Sequence, residues 1–321
     1  MTDTEVLATA ARAIRGSVQV ALACHVNPDG DALGSMLAMH HVLRHHGIAS
    51  VASFSQPFVV APHYRELPGL DLMVPPDQFP ARPDVMVTFD CGSLDRLGDL
   101  AACASEAREL IVIDHHLSND RYGTINVIDD RAAASGVVVR ELVRSLGFVL
   151  DRDSAVCLYA ALVCDTGRFQ YESTTPAVFD LARELTEFDI PIPSLSRTLF
   201  EEHRFAYLQL LAAVLARTEL VAAQRFVWTV VRQDDLARFG VTMDEVEGLI
   251  DIVRRTREAE VTAVLKEDVD GSVRVSLRSL GDVDVCLLAQ SMGGGGHRFA
   301  AGFTAPGPAT AVVERIRAAL P

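Results

Sequence analysis

Short apolar runs, each too brief to cross a bilayer, punctuate the first two-thirds of this 321-residue chain. They cover residues 18–24, 48–54, 85–89, 110–113 and 125–128, and they read as strands. Helical spacing lies between and after them, over residues 5–15, 31–46, 136–146, 154–163 and 176–187. Gly47 suits the C-cap of the second of these helices, and Pro176 suits the first turn of the last. Strands that are apolar on both faces and alternate with helices predict an α/β fold. Its core is a mainly parallel sheet flanked by helices.

The stretch Ile190-Pro191-Ile192-Pro193 breaks this rhythm. Helical periodicity continues to about residue 217, and a different pattern follows. A strand is predicted over 225–231 and a helix over 244–257. Strands over 261–266 and 273–278 flank the hairpin-type turn Asp270-Gly271. A short helix over 283–291, a glycine tract, a strand from Phe303 and a closing helix over 309–320 complete a smaller, mixed α/β C-terminal domain. The expected layout is therefore a first domain over 1–190, a helical connector over 191–217 and a second domain over 218–321.

Composition narrows the partners. Asp+Glu outnumber Lys+Arg by 43 to 29, a net charge of −14, and Lys266 is the single lysine. A chain with this field does not coat long nucleic acid. Phosphate handling would need local help from metal ions, glycine-rich backbone or placed arginines. There is no secretory pattern, and none of the six cysteines forms a CxxC pair. Reduced core thiols, a cytoplasmic location and no membrane association are expected.

Three predicted strands end in the same chemistry. The first runs into His25-Val26-Asn27-Pro28-Asp29-Gly30-Asp31, the third ends at Asp90, and the fourth ends at Asp114-His115-His116. Asp165 closes the apolar run 158–164. In open parallel sheets ligands sit beyond the carboxyl ends of strands. Converging carboxylates repel strongly, and no lysine is near to offset them. An oxygen-rich set with some imidazole favours Mn²⁺ or Mg²⁺ over structural Zn²⁺, and two ions about 3.5–4 Å apart would use all the donors. Asp114-His115-His116 has no routine structural role beyond a surface pair, but the other pieces alone have plainer readings. Asp29 and Asp31 suit a turn, and Asp31 also suits a helix N-cap. Asp90 alone suits a loop cap and Asp165 a turn. The joint occurrence at successive strand ends favours function. His40-His41 and His45-His46 read instead as a partly exposed helix face.

Gly293-Gly294-Gly295-Gly296-His297 precedes Arg298-Phe299-Ala300-Ala301-Gly302. Such a tract lets backbone approach a ligand and present N–H groups to an anion. His297 could donate to a phosphate, and Arg278 could make a bidentate phosphate contact.

Together these motifs resemble the DHH/DHHA1 phosphoesterase family, in order and over nearly the whole chain. The length is similar to that of its short nano-RNases, also called oligoribonuclease/pAp phosphatases. Some relatives cleave cyclic di-AMP or its linear product. The resemblance implies a DHH catalytic, metal-binding domain followed by a DHHA1 substrate-binding domain. It implies two Mn²⁺, with Mg²⁺ as the other choice. His25, Asp29 and Asp90 would hold one ion, and Asp31, Asp90, His115 and Asp165 the other, with Asp90 bridging. Asp114 would orient the cluster and His116 would contact phosphate. Ser135 matches a substrate-pocket serine, although a helix N-cap is an equal reading. Arg278, Gly295, Gly296 and His297 match the region that grips the nucleotide's phosphate. The implied reaction is metal-dependent hydrolysis of short RNA, linear dinucleotides such as pApA, or pAp, in a homodimer.

Three rival readings differ from this one. A manganese inorganic pyrophosphatase resembles the first domain but lacks the Gly-Gly-Gly-His signature. A processive single-strand exonuclease of the same family is usually larger. A non-catalytic nucleotide sensor or RNA-binding module would be expected to lose ligands that are all present here.

Overall fold

A computed structural model describes residues 3–320. The chain divides into two compact units, residues 1–201 and 202–321. The segment 191–217 holds two helices, one in each unit.

The first unit comprises α1 (Thr4–Arg15), β1 (Gln19–Cys24), α2 (Gly30–His45), β2 (Ala49–Ser53), β3 (Val85–Phe89), α3 (Ala101–Ser105), β4 (Glu109–Asp114), β5 (Ile125–Ile128), α4 (Ser135–Ser145), α5 (Arg152–Asp165), α6 (Pro176–Thr186) and α7 (Ile192–Phe200). Its five strands are all parallel, in the order β2-β1-β3-β4-β5. The expected α/β class and the parallel sheet hold. Side-chain alternation sorts the strand residues between two cores. Val20, Leu22 and Cys24 of β1 join the large core that also holds α1, α2, α4 and α5. Ala21 and Ala23 face a smaller core built with Leu97, Leu100 and Ala104. Strands buried on both faces explain the uninterrupted apolar runs.

β1 lies between β2 and β3, so the chain leaves β1 toward one edge and returns at β3 on the other side. That reversal opens a crevice at the carboxyl ends of β1 and β3. Helix α2 starts at this crevice and is buried from Gly30 to Leu43. It packs on the sheet and on α4 and α5. Gly34 permits the α2–α5 approach: a Cβ there would stand 2.5 Å from the Cys157 carbonyl oxygen.

This packing corrects the reading of His40-His41 as a partly exposed face. They are 1% and 9% exposed, because α2 is covered on all sides rather than amphipathic. His40 Nδ1 meets Ser50 Oγ at 2.9 Å, whereas the Nε2 atoms of both rings meet no hydrogen-bond partner.

The second unit comprises α8 (Phe205–Leu215), β6 (Glu219–Val221), β7 (Phe226–Val231), α9 (Gln233–Phe239), α10 (Ile250–Val253), β8 (Val261–Glu267), β9 (Ser272–Ser279), α11 (Val285–Ser291), β10 (Gly295–His297), β11 (Ala300–Pro306) and α12 (Ala309–Ala319). The strands form one mixed sheet in the order β10-β11-β9-β8-β7-β6, parallel between β7 and β8 and otherwise antiparallel. Strand β9 alternates strictly, with Val273, Val275 and Leu277 buried against α11 and α12 and with Arg274, Ser276 and Arg278 on the other face. The helix expected over 244–257 is instead a 3₁₀ segment, Asp244–Leu249, running into the single turn of α10. Gly248 at that junction weakens a regular helix.

The glycine tract also differs from expectation. It is an edge strand as well as a loop: β10 pairs antiparallel with β11, Gly295 opposite Gly302 and His297 opposite Ala300. Glycine is needed for that close pairing, since a Cβ on Gly296 would lie 2.5 Å from the Ala300 carbonyl oxygen.

All six cysteines are free. Among the described residues no helix is long and apolar enough to cross a membrane.

Burial, with help from the charges of His41 and Arg44, lowers the pKa of His40 from 6.5 to about 4. Between those values the unfolded chain binds a proton that the folded chain refuses, so stability is expected to fall as pH drops from about 6.5 toward 4. The His40 contribution is at most about 3 kcal/mol. Urea unfolding at several pH values should show this slope, and His40→Gln should flatten it.

Candidate metal centre and active site

The carboxyl ends of β1, β3 and β4 deliver their side chains to the crevice, and two helix ends complete the group. After β1, Asp29 caps α2: its Oδ1 accepts the Asp31 and Ala32 amides at 3.1 and 3.0 Å. Asp29, rather than Asp31, is therefore the N-cap. Its side chain remains 53% exposed and its Oδ2 lies 4.0 Å from His25 Nε2. The fully buried Asp31 turns inward from the first turn of α2. Its carboxylate accepts the Ser135 and Gly136 amides at the start of α4 and the Ser35 hydroxyl.

Asp90, at the end of β3, is central. His25 Nε2 lies 3.5 Å from its Oδ2. His115 Nε2 and His116 Nδ1 each lie 3.5 Å from its Oδ1. Asp165, the last residue of α5, stands 3.1 Å from His115 Nε2. Asn27 and Asp90 adopt φ of 50° and 52°, left-handed backbone that costs non-glycine residues on the order of 1–3 kcal/mol each.

The histidines are pre-oriented. His25 Nδ1 donates to the Val26 carbonyl at 2.8 Å and His115 Nδ1 to the Ala132 carbonyl at 3.1 Å. Both rings thereby turn Nε2 toward the carboxylates, as metal-binding histidines do. Asp114 is fully buried and accepts from His116 Nδ1 at 2.7 Å, from the His115 and His116 amides, and from Asn119 Nδ2 at 2.5 Å. It fixes the His116 ring.

The electrostatics of the site favour positive charge. Burial, reinforced by Asp90 and Asp165, pushes the Asp31 carboxyl well above its ordinary range. Burial likewise raises Asp165, although His115 opposes it. Asp90 goes the other way: burial would raise it, but His25, His116 and His115 together hold it far below the carboxylate range. Burial disfavours protonated His25 and His115, yet their aspartate neighbours lift both rings above the ordinary histidine value.

Among the described residues of the first unit, three sets of side chains bring potential ligand atoms within 4.8 Å of one another: His25, Asp29 and Asp90; Asp31, Asp90 and His115; and Asp90, Asp114 and His116. Asp90 is common to all three. The donor set is hard oxygen plus imidazole, which fits divalent cations.

Ser135, expected in a substrate pocket, has no exposed surface, and its hydroxyl donates to Asp90 at 3.0 Å. Arg278 lies on β9 in the second unit, with Nε 3.9 Å from Asp251. Gly295, Gly296 and His297 form β10. Sequence reasoning missed Asn119, which holds Asp114, and Thr166. The Thr166 hydroxyl donates to the Leu162 carbonyl and accepts the Phe169 amide, shaping the turn after Asp165. Both residues sit in ordinary turn sequences, which hid their roles.

Residues 19–162 match the N-terminal domain of the DHH family, and residues 223–320 match the DHHA1 domain. The chain belongs to the DHH family and carries its DHHA1 domain; it is a hydrolase, a phosphoesterase. It is 28% identical over 296 residues to the bifunctional oligoribonuclease and PAP phosphatase NrnA of Thermus thermophilus, covering 92% of this chain and 86% of that one. The protein of the same name from Bacillus subtilis is 27% identical over 285 residues, 87% of this chain and 86% of that one. An exopolyphosphatase-related protein from Bacteroides fragilis shares the fold, with a TM-score of 0.91 at 22% identity, across 99% of this chain and 96% of that one.

Cation binding here must displace protons from His25 and His115, whose pKa values are raised. Affinity for Mn²⁺ is therefore expected to climb as pH rises through that raised range, with protons released even above pH 6.5. Calorimetry in buffers of different ionisation enthalpy would measure the release.

Proposed function

We propose that this protein hydrolyses phosphoester bonds in short nucleotides with the aid of two Mn²⁺ ions. Its substrates are RNA fragments of a few residues, linear dinucleotides such as pApA, and the 3′-phosphate of pAp. The observation that carries the reading is Asp90, one buried carboxylate shared by every candidate cation-binding group among the described residues of the first unit. The names of the relatives supply the substrate class. The net charge of −14 agrees with small substrates held by a few local contacts.

His25, Asp29 and Asp90 would hold one ion. Asp31, Asp90, His115 and Asp165 would hold the other. Bound there, divalent cations supply Lewis acidity toward phosphoryl oxygens and make water a competent nucleophile near neutral pH. The remaining work falls to the chain itself. His116, fixed by Asp114, donates a hydrogen bond to the phosphoryl group as negative charge builds on it. Ser135 and the start of α4 hold Asp90 and Asp31 in place. We assign Arg278, Gly295, Gly296 and His297 to gripping a second phosphate or the leaving nucleotide. Ser135, assigned by resemblance to the substrate, would act through Asp90 instead.

Purified protein should release product from pApA, pAp and RNA of two to five residues with Mn²⁺. It should lose that activity in chelator and regain it less fully with Mg²⁺. Cyclic di-AMP and pyrophosphate belong in the same panel. Asp90→Asn should remove turnover on every substrate while the far-ultraviolet circular dichroism is kept. Pyrophosphate as the sole substrate would overturn the nucleotide assignment, and full activity of Asp90→Asn would overturn the site.

A further inference from the structure

The parallel sheet stops supporting the site just where His116 is reached. The backbone ladder between β3 and β4 extends to the bond from the Asp90 amide to the Ile113 carbonyl, at 3.0 Å. Asp114 ends β4, and His116 lies two residues further on. At Asp90 the chain turns away from β3 with φ of 52°. The ladder therefore leaves the His116 ring unfixed relative to Asp90, although His116 Nδ1 stands only 3.5 Å from Asp90 Oδ1.

The segment Asn119–Tyr122 supplies the missing link. The Asn119 amide donates to the His116 carbonyl at 3.1 Å, closing a turn over residues 116–119. From that turn the Asn119 side chain reaches both strand ends. Its Nδ2 donates to Asp114 Oδ2 at 2.5 Å and to the Cys91 carbonyl at 3.2 Å. Cys91 is the residue after Asp90. The Tyr122 hydroxyl donates to the same Cys91 carbonyl at 3.1 Å, and the Asp120 amide donates to the Gly92 carbonyl at 2.9 Å. The chain beyond β4 thus clasps the chain beyond β3.

The chemistry of this clasp calls for an amide at position 119. Asn119 Oδ1 accepts the Arg121 amide at 2.7 Å, which fixes the orientation of the side chain. The NH₂ group then faces two acceptors, the Asp114 carboxylate and the Cys91 carbonyl, with one hydrogen for each. Asp114 is fully buried, and its Oδ1 already takes His116 Nδ1 and the His115 and His116 amides. Asn119 meets the other oxygen. Without it, a buried carboxylate oxygen loses a charge-assisted bond, and the carboxylate that holds the His116 ring is freed to turn.

We propose that Asn119 is a positioning residue that couples His116 to Asp90. By bonding Asp114 and the Cys91 carbonyl at once, it holds the phosphoryl-facing imidazole at a set place beside the shared carboxylate. The inference rests on the phosphoester-hydrolase reading above. In that reading Asn119 touches neither cation nor substrate and acts through His116.

The test compares wild type with Asn119→Asp, Asn119→Ala, His116→Ala and the double variant Asn119→Ala/His116→Ala. Asn119→Asp keeps the Oδ1 acceptor and the volume and removes only the donors, so it stands in if Asn119→Ala fails to fold. On pApA each Asn119 variant should lose about 10- to 100-fold in kcat, with KM within about threefold of wild type. In the His116→Ala background, Asn119→Ala should cost less than about threefold more, because the ring it positions is gone. Mn²⁺ affinity should stay within about threefold, since Asp90 keeps its bonds to β4 and Ser135. Additive losses in the double variant would overturn the coupling to His116. So would Mn²⁺ affinity that falls in step with kcat, which would make Asn119 a support for the cation ligands. Solvent exchange of the His116 Nδ1 proton, followed by NMR on protein with isotope-labelled histidines, reads the same bond without turnover. It should quicken about tenfold in both Asn119 variants, and unchanged exchange would also overturn the assignment. If wild type cleaves none of the substrates, the functional reading fails, and the proton exchange still decides the role of Asn119.

Discussion

Repulsion among buried carboxylates is the constraint around which the first unit is organised. Asp31, Asp90 and Asp165 converge on His115, with Asp29 close by across His25. Without compensation, charges this close in a poorly solvated site would cost several kcal/mol and drive protonation instead. The protein partly answers with imidazoles, which hold Asp90 ionised. It answers also with backbone, since Asp31 is met by two amides at the start of α4. The raised Asp31 and Asp165 carboxyls show that this compensation is incomplete. Two divalent cations would complete it, and the same ions would supply the reactivity the family requires.

The fold makes such a gathering affordable. Reversal of the strand order beside β1 opens the crevice, so His25, Asp29, Asp31 and Asp90 reach it from neighbouring strand ends without long loops. Left-handed backbone at Asn27 and Asp90 redirects the chain just beyond β1 and β3. The strain is held by the parallel sheet on one side and by α2, α4 and α5 on the other. The Asp114–Asn119–His116 hydrogen bonds extend the same rigidity to the rim.

Much of this was legible in the sequence, because a parallel sheet writes its strands as continuous apolar runs and its site as the residues that end them. Asp90 and Asp114-His115-His116 could be placed from that rule alone. The choice between Asp29 and Asp31 as N-cap could not, since it depends on which carboxylate turns into the crevice. His40-His41 misled because a helix covered on every side has no polar face to read. The glycine tract misled in another way: glycine permits both an open anion-binding loop and a tight edge strand, and only the pairing with β11 separates them. Asn119 left no signal, because a turn asparagine is common in sequences of every function.

The central claim is that one carboxylate, Asp90, is shared between two cations. Anomalous diffraction from crystals grown with Mn²⁺ tests it most directly. The account expects two peaks about 3.5–4 Å apart, with Asp90 between them, His25 and Asp29 on one side and Asp31, His115 and Asp165 on the other. A single peak, or two peaks with Asp90 bound to neither, would contradict it.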